Sequence, residues 1–377
     1  MTRIMISAGE ASGDIHAAAA LEALKADGVE FDCFGMGGNA LELLGMKLDV
    51  DNRDLSVIGF VDVLRNYPKF KRRLQHLRQR MREEQPALLL TIDYPDFNLK
   101  LAETAKELGI PVLHYVSPQV WAWREGRITR IGQLVTHMAV LFPFEVPYYE
   151  RHNIPVTYVG HPLLDELHDN LDQTEARVQL GLQEPTAGKI VGLMPGSRPS
   201  ELSRILPTLL ESAALLLAQD PSLRFVMPLA PSLTADALEP YTALNSLPVT
   251  VIQDDSHVVA KACDCIAVAS GTATLELALL DVPMVVVYKL NPINYAIMRR
   301  LIKIPYISLV NIVAEREVCK ELVQATATAK AVSEELEKLL SDEDYLQTQR
   351  TGLLEVREQM GEPGASGRVA KIMRSLL

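Results

Sequence analysis

Two carboxylates, a serine and a histidine lie close together near the start of the chain, in Gly9-Glu10-Ala11-Ser12-Gly13-Asp14 and at His16. The turn follows a short apolar run, Arg3 to Ser7, and begins a predicted helix; in a parallel α/β sheet, ligands bind at such places. It lacks the G-x-G-x-x-G spacing of a dinucleotide site, and its carboxylates would repel a pyrophosphate. Because carboxylates suit sugar hydroxyls, the turn predicts a sugar site that includes Glu10, Ser12, Asp14 and His16.

A second acidic segment, Asp93-Tyr94-Pro95-Asp96, follows the very apolar run Leu88–Ile92. Asp93 is expected at the carboxyl end of that strand and is the preferred general base, because a carboxylate can accept a proton from a sugar hydroxyl. Asp96 also suits a helix N-cap, which leaves its role open between capping and the active site. Glu10, Asp14, His16 and His114 are rival bases. The histidines rank lower, because a lone histidine more often packs or forms a structural hydrogen bond.

Two turns in the second half of the chain favour an anionic ligand. In Pro195-Gly196-Ser197-Arg198, the glycine permits a sharp turn and Arg198 supplies a planar fork for phosphate, although a plain turn with a surface arginine would look the same. Ser270-Gly271-Thr272 follows the run Cys265–Val268 and leaves helix-start amides open to an anion. Glu276 lies about one helical turn further on, within reach of ribose hydroxyls, unless it is only a solvated glutamate. Together the two turns predict a nucleotide-diphosphate site.

The segment from Gly59 to Arg82 is basic and apolar, although the whole chain carries a formal net charge of -11. Such a mixture suits an anionic membrane surface. An exposed basic helix would give the same pattern, and Pro68 argues against one long helix. The candidate membrane contacts are Phe60, Val63, Leu64, Tyr67, Phe70, Arg72 and Arg73.

Composition excludes several classes of function. With 48% hydrophobic and 23% charged residues among 377, the chain resembles ordinary globular proteins. Its acidic balance argues against general nucleic-acid binding. Its four cysteines form no C-x-x-C pair or zinc pattern, so no metal site is predicted, and they suit a reducing cytosol. No apolar stretch reaches the roughly 20 residues of a membrane span, and no signal peptide is recognised.

Short apolar runs alternate with helical patterns throughout, which predicts βαβ repetition and parallel sheets covered on both faces. The pattern lapses between His161 and Gly188, where polar residues, prolines and glycines indicate a linker. We therefore expect an α/β fold of two Rossmann-like domains, residues 1–165 and 186–344, that face each other across a cleft. This architecture is found in GT-B glycosyltransferases, in some epimerases and in periplasmic binding proteins, so it does not fix the function.

Taken in order, these segments resemble the lipid-A-disaccharide synthase family, the inverting GT-B enzymes of glycosyltransferase family 19. Each segment is modest alone, but seven in register over nearly the whole chain are highly specific. In that fold the terminal helix crosses back, which assigns residues 345–377 to the first domain. The matching segments are Gly9–Asp14, Ile92–Asp93 with Pro95–Asn98, Tyr115–Pro118 with Val120–Arg124, Gly160–His161, Pro195–Arg198, Ser270–Ala273 with Leu275–Glu276, and Ser308–Leu309 with Asn311.

The resemblance implies a reaction in which UDP-2,3-diacylglucosamine donates its sugar to 2,3-diacylglucosamine 1-phosphate, giving a β-1′,6-linked disaccharide 1-phosphate and UDP. It implies no metal and no other cofactor. Asp93 would deprotonate the 6-hydroxyl of the acceptor, while Glu10, Ser12 and Asp14 would shape the acceptor side. The residues implied for the nucleotide are Arg198, Ser270, Gly271, Thr272, Glu276, Asn311 and Glu317.

The acylated substrates imply a cytoplasmic enzyme at the inner face of the cytoplasmic membrane, with an anionic lipid surface as a partner. No nucleic-acid partner is expected, and a homodimer is left open. Three alternatives remain. Another GT-B UDP-N-acetylglucosamine transferase, or a UDP-N-acetylglucosamine 2-epimerase, would share the two-domain plan. A UDP-sugar-binding membrane module without catalysis would keep the nucleotide site but would not need Asp93.

Overall fold

Strands buried on both faces appear in this sequence as short apolar runs, because helices cover each side of a parallel sheet. The computed structural model describes residues 1–55, 60–123, 125–167, 171–182, 188–230, 232–241, 247–253, 255–301 and 304–377. The strands of the first sheet are β1 Thr2–Ala8, β2 Phe31–Gly37, β3 Lys47–Asp51, β4 Leu88–Ile92, β5 Val112–Tyr115, β6 His137–Val140 and β7 Val156–Tyr158. Those of the second sheet are β8 Ile190–Met194, β9 Arg224–Pro228, β10 Val249–Ile252, β11 Cys265–Ala269, β12 Met284–Tyr288 and β13 Glu321–Val323.

Helices connect the strands, as parallel pairing requires. In the described part of the first half they are α1 Ala11–Ala26, α2 Asn39–Leu43, α3 Phe60–Glu84, α4 Pro95–Glu107, α5 Val120–Trp123, α6 Ile128–Leu134, α7 Val146–Glu150, α8 Leu163–Glu166 and α9 Gln173–Gln179. The later described helices are α10 Pro199–Gln219, α11 Ser256–Ala262, α12 Thr272–Leu279, α13 Pro292–Leu301, α14 Leu309–Ala314, α15 Ala329–Ser341, α16 Glu343–Gln359 and α17 Ala365–Leu376.

The two sheets share one plan, in which the first strand lies inside the sheet and the strand order reverses beside it. The described strands run β3-β2-β1-β4-β5-β6-β7 in the first sheet and β10-β9-β8-β11-β12-β13 in the second, and the neighbouring pairs are parallel. Ligands bind such sheets outside the carboxyl ends of the strands where the order reverses. The register pairs Ala8 with Ile92 and Met194 with Val268. The four turns singled out above therefore leave the sheets at these two points.

The chain divides into two units, Met1–Asp165 with Glu362–Leu377, and Glu166–Gly361. Each has its own core, built around residues such as Met5 and Leu89 in the first unit and Val191 and Phe225 in the second. The predicted pair of parallel α/β domains is thereby confirmed.

The return to the first unit comes later than the expected residue 345. Helix α16 packs against α12, α14 and α15 of the second unit, and the buried Gln349 side chain bonds both the N–H (2.7 Å) and the carbonyl (3.1 Å) of Met284. Helix α17, by contrast, packs on α1 of the first unit. The crossing point is the glycine- and proline-containing segment 361–364, where Arg368 donates to the carbonyls of Val159 (2.6 Å) and Glu362 (2.8 Å).

Part of the expected linker belongs to the second unit. Helix α9 begins with a capping box between Asp172 and Glu175. Its Arg177 bonds the carbonyl of Ala262 and the carboxylate of Asp264, each within 2.9 Å. Local polarity suggested a connector, but these contacts come from residues far along the chain.

Among the described residues, no helix combines the length and the apolar character needed to cross a membrane.

Candidate active site

Asp93 lies in a strained turn directly after β4. Asp93 and Tyr94 have φ angles of 44° and 45°, a left-handed conformation that is costly for residues other than glycine. Two such residues in succession cost on the order of 1–3 kcal/mol each, and they persist only where the surroundings dictate them. The N–H of Asp93 donates to the carbonyl of Tyr115 at 2.9 Å, which holds the turn against β5.

Asn98 is the residue that fixes this turn. It is fully buried on α4, and its amide nitrogen donates to the carbonyls of Asp93 (2.7 Å) and Ile92 (3.1 Å). Its amide oxygen accepts a hydrogen bond from the Ser7 hydroxyl at 2.6 Å. A buried amide with all these partners ties β1, β4 and the turn together. The sequence analysis gave neither Asn98 nor Ser7 a role, although Asn98 closes one of the segments that resemble the family.

Tyr94 supports the turn from its other side. It is the N-cap of α4, and Pro95 occupies the first helical position, which proline favours. A Cβ on Gly9 would lie 2.5 Å from the Tyr94 ring, so the glycine allows the two turns to touch. Asp96 is therefore not the N-cap. It is exposed and forms an ion pair with Arg127 at 2.5 Å.

The environment of Asp93 favours a proton acceptor that works near neutral pH. Burial raises the pKa of Asp93 to about 6, and the negative charge of Glu10 adds to this effect. Glu10 itself is exposed at the N-cap position of α1, where its side chain makes no capping bond. Ser12 is exposed in the first turn of the same helix. The structure thus places Glu10 beside Asp93, with Ser12 on the adjoining helical turn.

Asp14 has a structural role, although the sequence analysis expected it at the sugar site. It is buried, and its carboxylate accepts hydrogen bonds from the N–H groups of Gly38 (2.6 Å), Ala40 (2.8 Å) and Leu41 (3.4 Å). These are the unpaired donors at the start of α2. Asp14 therefore caps α2 and so joins the first turn of α1 to that helix.

Three histidines of the first unit differ in their surroundings: one is fully buried, and the other two lie near each other. His114 is fully buried and bonds Thr91 through Nδ1 at 2.7 Å, and burial lowers its pKa to about 4. It is therefore a structural residue. His16 is half-buried with its ring 6.1 Å from that of Tyr115, and it is close enough to His161 to contribute to the lowered pKa of that residue, whose main cause is burial. Burial also lowers the pKa of His16.

The second unit contains a cavity of about 890 Å³ at the carboxyl ends of β8 and β11. Its lining includes the two predicted anion-binding turns, Pro195–Arg198 and Ser270–Ala273, together with Glu276. Gly196 has φ 111° and leaves no room for a Cβ, because the Glu201 carboxylate lies against it. That carboxylate accepts the N–H groups of Ser197 (3.0 Å) and Arg198 (3.2 Å), which shapes the turn from the first helical turn of α10.

The cavity combines an exposed cation with a helix start that no side chain caps. The Arg198 side chain is 70% exposed and contacts Glu201 at 3.2 Å. Gly271 is the N-cap of α12 and brings no side chain to the free N–H groups of the first turn, so they remain available to an anion. Glu276 accepts hydrogen bonds from Ser256 and His257, both at 3.2 Å, and this contact raises the pKa of His257. This arrangement suits a diphosphate beside a hydroxyl-bearing group.

Two residues expected at the nucleotide lie elsewhere. Asn311 is fully buried and its amide is saturated, since it donates to Cys319 and Glu321 and accepts from the N–H groups of Val318 and Cys319 at 2.8–3.0 Å. Glu317 is exposed and pairs with Lys320 at 3.2 Å. Neither lines the 890 Å³ cavity among the described residues. Asn311 instead holds the loop that leads into β13.

Helix α3 carries most of the predicted membrane segment, and it runs through Pro68 without the expected interruption. In its second half, Leu74, Leu77 and Met81 are buried in the core. Arg78, Arg80 and Arg82 pair with Glu103 (3.0 Å), Asp49 (3.1 Å) and Glu107 (3.4 Å) of neighbouring elements. This half of the helix is therefore a covering element of the sheet, as the alternative of an exposed basic helix proposed.

The residues predicted to contact the membrane lie in different surroundings. The side chains of Phe60, Val63, Leu64 and Tyr67 lie outside the described part of the structure. Phe70 packs edge-on against Phe97, with ring centroids 5.0 Å apart, so it belongs to the edge of the core. Arg72 is exposed and Arg73 is half-buried, and both line a smaller cavity of the first unit.

No cluster of three potential metal ligands occurs among the described residues. Most of the predicted site residues lie in two places, around the Asp93 carboxylate in the first unit and along the 890 Å³ cavity in the second.

The comparisons with known proteins agree with this chemistry. A family model described as lipid-A-disaccharide synthetase matches residues 4–373. The chain is 44% identical over 375 residues to the lipid-A-disaccharide synthase of Trichlorobacter lovleyi, covering 100% of this chain and 97% of that protein. It is 45% identical over 376 residues to the one from Geobacter sulfurreducens, with the same coverage.

Solved structures show the same fold. The UDP-GlcNAc 2-epimerase from Neisseria meningitidis, bound to UDP-GlcNAc, gives a TM-score of 0.60 at 14% identity over 100% of this chain and 99% of that one. The glycosyltransferase of kitacinnamycin gives 0.63 at 17% identity with the same coverage. At such identities the likeness establishes the GT-B fold alone. The family match and the two long curated matches go further, and the chain belongs to the lipid-A-disaccharide synthase family.

Proposed function

We propose that the chain transfers 2,3-diacylglucosamine from UDP to the 6-hydroxyl of 2,3-diacylglucosamine 1-phosphate, with inversion at the anomeric carbon. Its family membership makes it a glycosyltransferase of lipid A biosynthesis with a UDP-sugar donor. The observation that carries the mechanism is Asp93, which is the carboxylate held in a strained turn with a raised pKa.

Asp93 is the general base in this proposal. As the 6-hydroxyl oxygen attacks the anomeric carbon, its proton passes to Asp93, and the bond from that carbon to the UDP oxygen breaks. A base whose pKa lies near the working pH performs this transfer efficiently. Glu10 raises that pKa, and Ser12 and His16 are the proposed neighbours of the acceptor sugar.

The leaving UDP is held in the second unit. Arg198 and the free N–H groups at the start of α12 bind the diphosphate, whose negative charge grows as the bond to the sugar breaks. Ser270, Gly271 and Thr272 supply this helix start, and Glu276 accepts the ribose hydroxyls. We do not extend the nucleotide site to Asn311 or Glu317, because the former is saturated and the latter is exposed elsewhere.

We further propose that the protein acts at the inner face of the cytoplasmic membrane, because both substrates carry acyl chains. Liposome flotation tests this location. Binding to anionic vesicles that weakens as salt rises supports it, and equal recovery without lipid contradicts it. A homodimer stays a prediction that sedimentation checks.

The decisive experiment mixes the purified protein with UDP-2,3-diacylglucosamine and 2,3-diacylglucosamine 1-phosphate in detergent with EDTA. Formation of UDP and disaccharide together supports the proposal, including its independence of added metal. UDP without disaccharide indicates hydrolysis or a different acceptor. Neither product, beside an active control enzyme, favours the epimerase or non-catalytic alternatives.

A further inference from the structure

A second cavity, of about 430 Å³, lies in the first unit between the end of β3 and the middle of α3. Apart from Val50, its lining residues all carry ionisable side chains: Asp49, Asp51, Lys69, Arg72, Arg73 and His76. A cavity with so many cationic groups on one helix is unlike the rest of this acidic chain, whose formal net charge is -11.

The two aspartates of this cavity are already balanced. Asp49 is paired with Arg80 at 3.1 Å, and Asp51 accepts two hydrogen bonds of 2.9 Å from Arg53. Among the described residues of the cavity, the charges of Lys69 and Arg72 are therefore not balanced by these aspartates. Among the described residues, Lys69, Arg72 and His76 form no hydrogen bond or ion pair, in contrast to Arg78, Arg80 and Arg82 further along α3.

The cavity is linked to the turn that carries Asp93. Phe70, next to Lys69, contacts the Tyr94 ring with centroids 6.5 Å apart. Asn52, at the end of β3, donates to the carbonyls of Ala8 (3.2 Å) and Glu10 (3.3 Å). Arg73 is close enough to both Asp51 and Tyr94 to lower the pKa of each, although other groups dominate those shifts. The cavity therefore lies next to residues that contact the turns of Asp93 and Glu10.

We propose that this cavity binds a phosphate monoester, and that its occupant during turnover is the 1-phosphate of the acceptor sugar. The inference rests on the proposed function. Arginine pairs with phosphate through two parallel hydrogen bonds, and a monoester carries enough charge to match the surplus here. The 6-hydroxyl and the 1-phosphate lie on either side of the ring oxygen of one sugar, so the phosphate must bind beside Asp93. The same cations also suit the headgroup of an anionic phospholipid, so the test must separate the two sources of phosphate.

The test compares acceptors with and without the 1-phosphate in neutral detergent micelles that contain no phospholipid. The variant is Lys69→Gln with Arg72→Gln, since both side chains are exposed and their loss leaves the fold intact. The matched control is Lys71→Gln with Arg82→Gln, which removes the same charge from exposed positions of the same helix outside the cavity.

The wild type should prefer the phosphorylated acceptor. The cavity variant should raise the KM for that acceptor about 30-fold with kcat nearly unchanged, the size expected for lost charge-assisted hydrogen bonds to one phosphate. Its KM for the acceptor without phosphate should stay the same, and the control should change neither value.

Four results would overturn the inference. An unchanged KM in the cavity variant, or an equal rise for both acceptors, shows that the 1-phosphate binds elsewhere. Normal micelle kinetics with lost flotation on phosphatidylcholine vesicles containing phosphatidylglycerol assigns the cavity to lipid headgroups. A wild type that makes no disaccharide at all contradicts the proposed function itself, which distinguishes that failure from the others.

Discussion

Asp93 and Arg198 each follow a strand where the order of its sheet reverses, yet their surroundings are built in opposite ways. Asp93 lies on strained backbone that the buried amide of Asn98 holds in place, and it is partly withdrawn from water. Arg198 is 70% exposed, and its side-chain ion pair is with Glu201, three residues further on. A proton acceptor gains from fixed placement and desolvation. A phosphate ligand instead needs a cation that can move to meet it.

Replacing Asp93 should give the largest effect on this comparison. Asp93→Asn keeps the size of the side chain but removes the proton acceptor, so kcat should fall by about 10³-fold while UDP affinity is retained. Steady-state kinetics and calorimetric UDP binding measure the two quantities. The control is Asp96→Asn, at an exposed position, which should remain active. Full activity in Asp93→Asn would exclude this residue as the base.

Replacing Arg198, the exposed cation of the second unit, should have the next largest effect. Arg198→Ala loses charge-assisted contacts to the diphosphate, both bound and leaving, and kcat/KM should fall by about 10²-fold. UDP binding should weaken in parallel, which is the opposite of the Asp93 result. Arg204→Ala is the matched control, because Arg204 lies on the helix that Arg198 precedes and, within the described part of the chain, its side chain bonds the carbonyl of Ser200 alone. Equal losses in both variants would point to a damaged helix rather than a phosphate ligand.

The pH dependence tests desolvation at Asp93. The general base must be ionised, and its pKa is about 6, so kcat/KM should fall about tenfold for each pH unit below that value. Glu10→Gln removes a negative charge that disfavours the ionised form. The acidic limb should therefore move to lower pH in this variant. A limb that moves to higher pH would show that Glu10 does not act on the base through its charge.

The smallest effect is expected for Asp14, where the experiment distinguishes a structural role from a role in catalysis. Asp14→Asn weakens the cap of α2 and should lower the free energy of unfolding by about 2 kcal/mol, measured by urea denaturation. Turnover per folded molecule should stay near that of the wild type. Glu42→Gln, an exposed change on α2, is the control for stability. Catalysis lost without loss of stability would return Asp14 to the acceptor site.

The sequence was enough to predict those features that depend on residues close together in the chain. Apolar strands followed by Gly9, Gly196 or Gly271 predicted turns at sheet edges, and each of these turns lies where the strand order reverses. Family resemblance added the reaction. The position of Asp93 also followed from its place directly after β4.

The sequence did not reveal the roles of polar side chains whose hydrogen-bond or ion-pair partners lie in distant segments. Asp14 was expected at the sugar site because it lies in the first turn, and Asn311 was expected at the nucleotide because of the family resemblance. The partner groups of Asp14, at the start of α2, approach only when β1 and β2 pair. Asn311 instead bonds residues 318–321, shortly after α14. The arginines of α3 looked free for the same reason, although Glu103 and Asp49 neutralise two of them in the fold. Long-range pairing of polar groups leaves no periodic trace.

The late return of α17 has a consequence for how the protein is made. The second unit, residues 166–361, is one continuous segment, so all of it is translated before the last helix. The first unit starts the chain but lacks the helix that covers α1 until the final residues emerge. The half that carries Asp93 therefore completes its fold last. A ribosome stalled before residue 362 would have translated all of the second unit and none of the helix that covers α1.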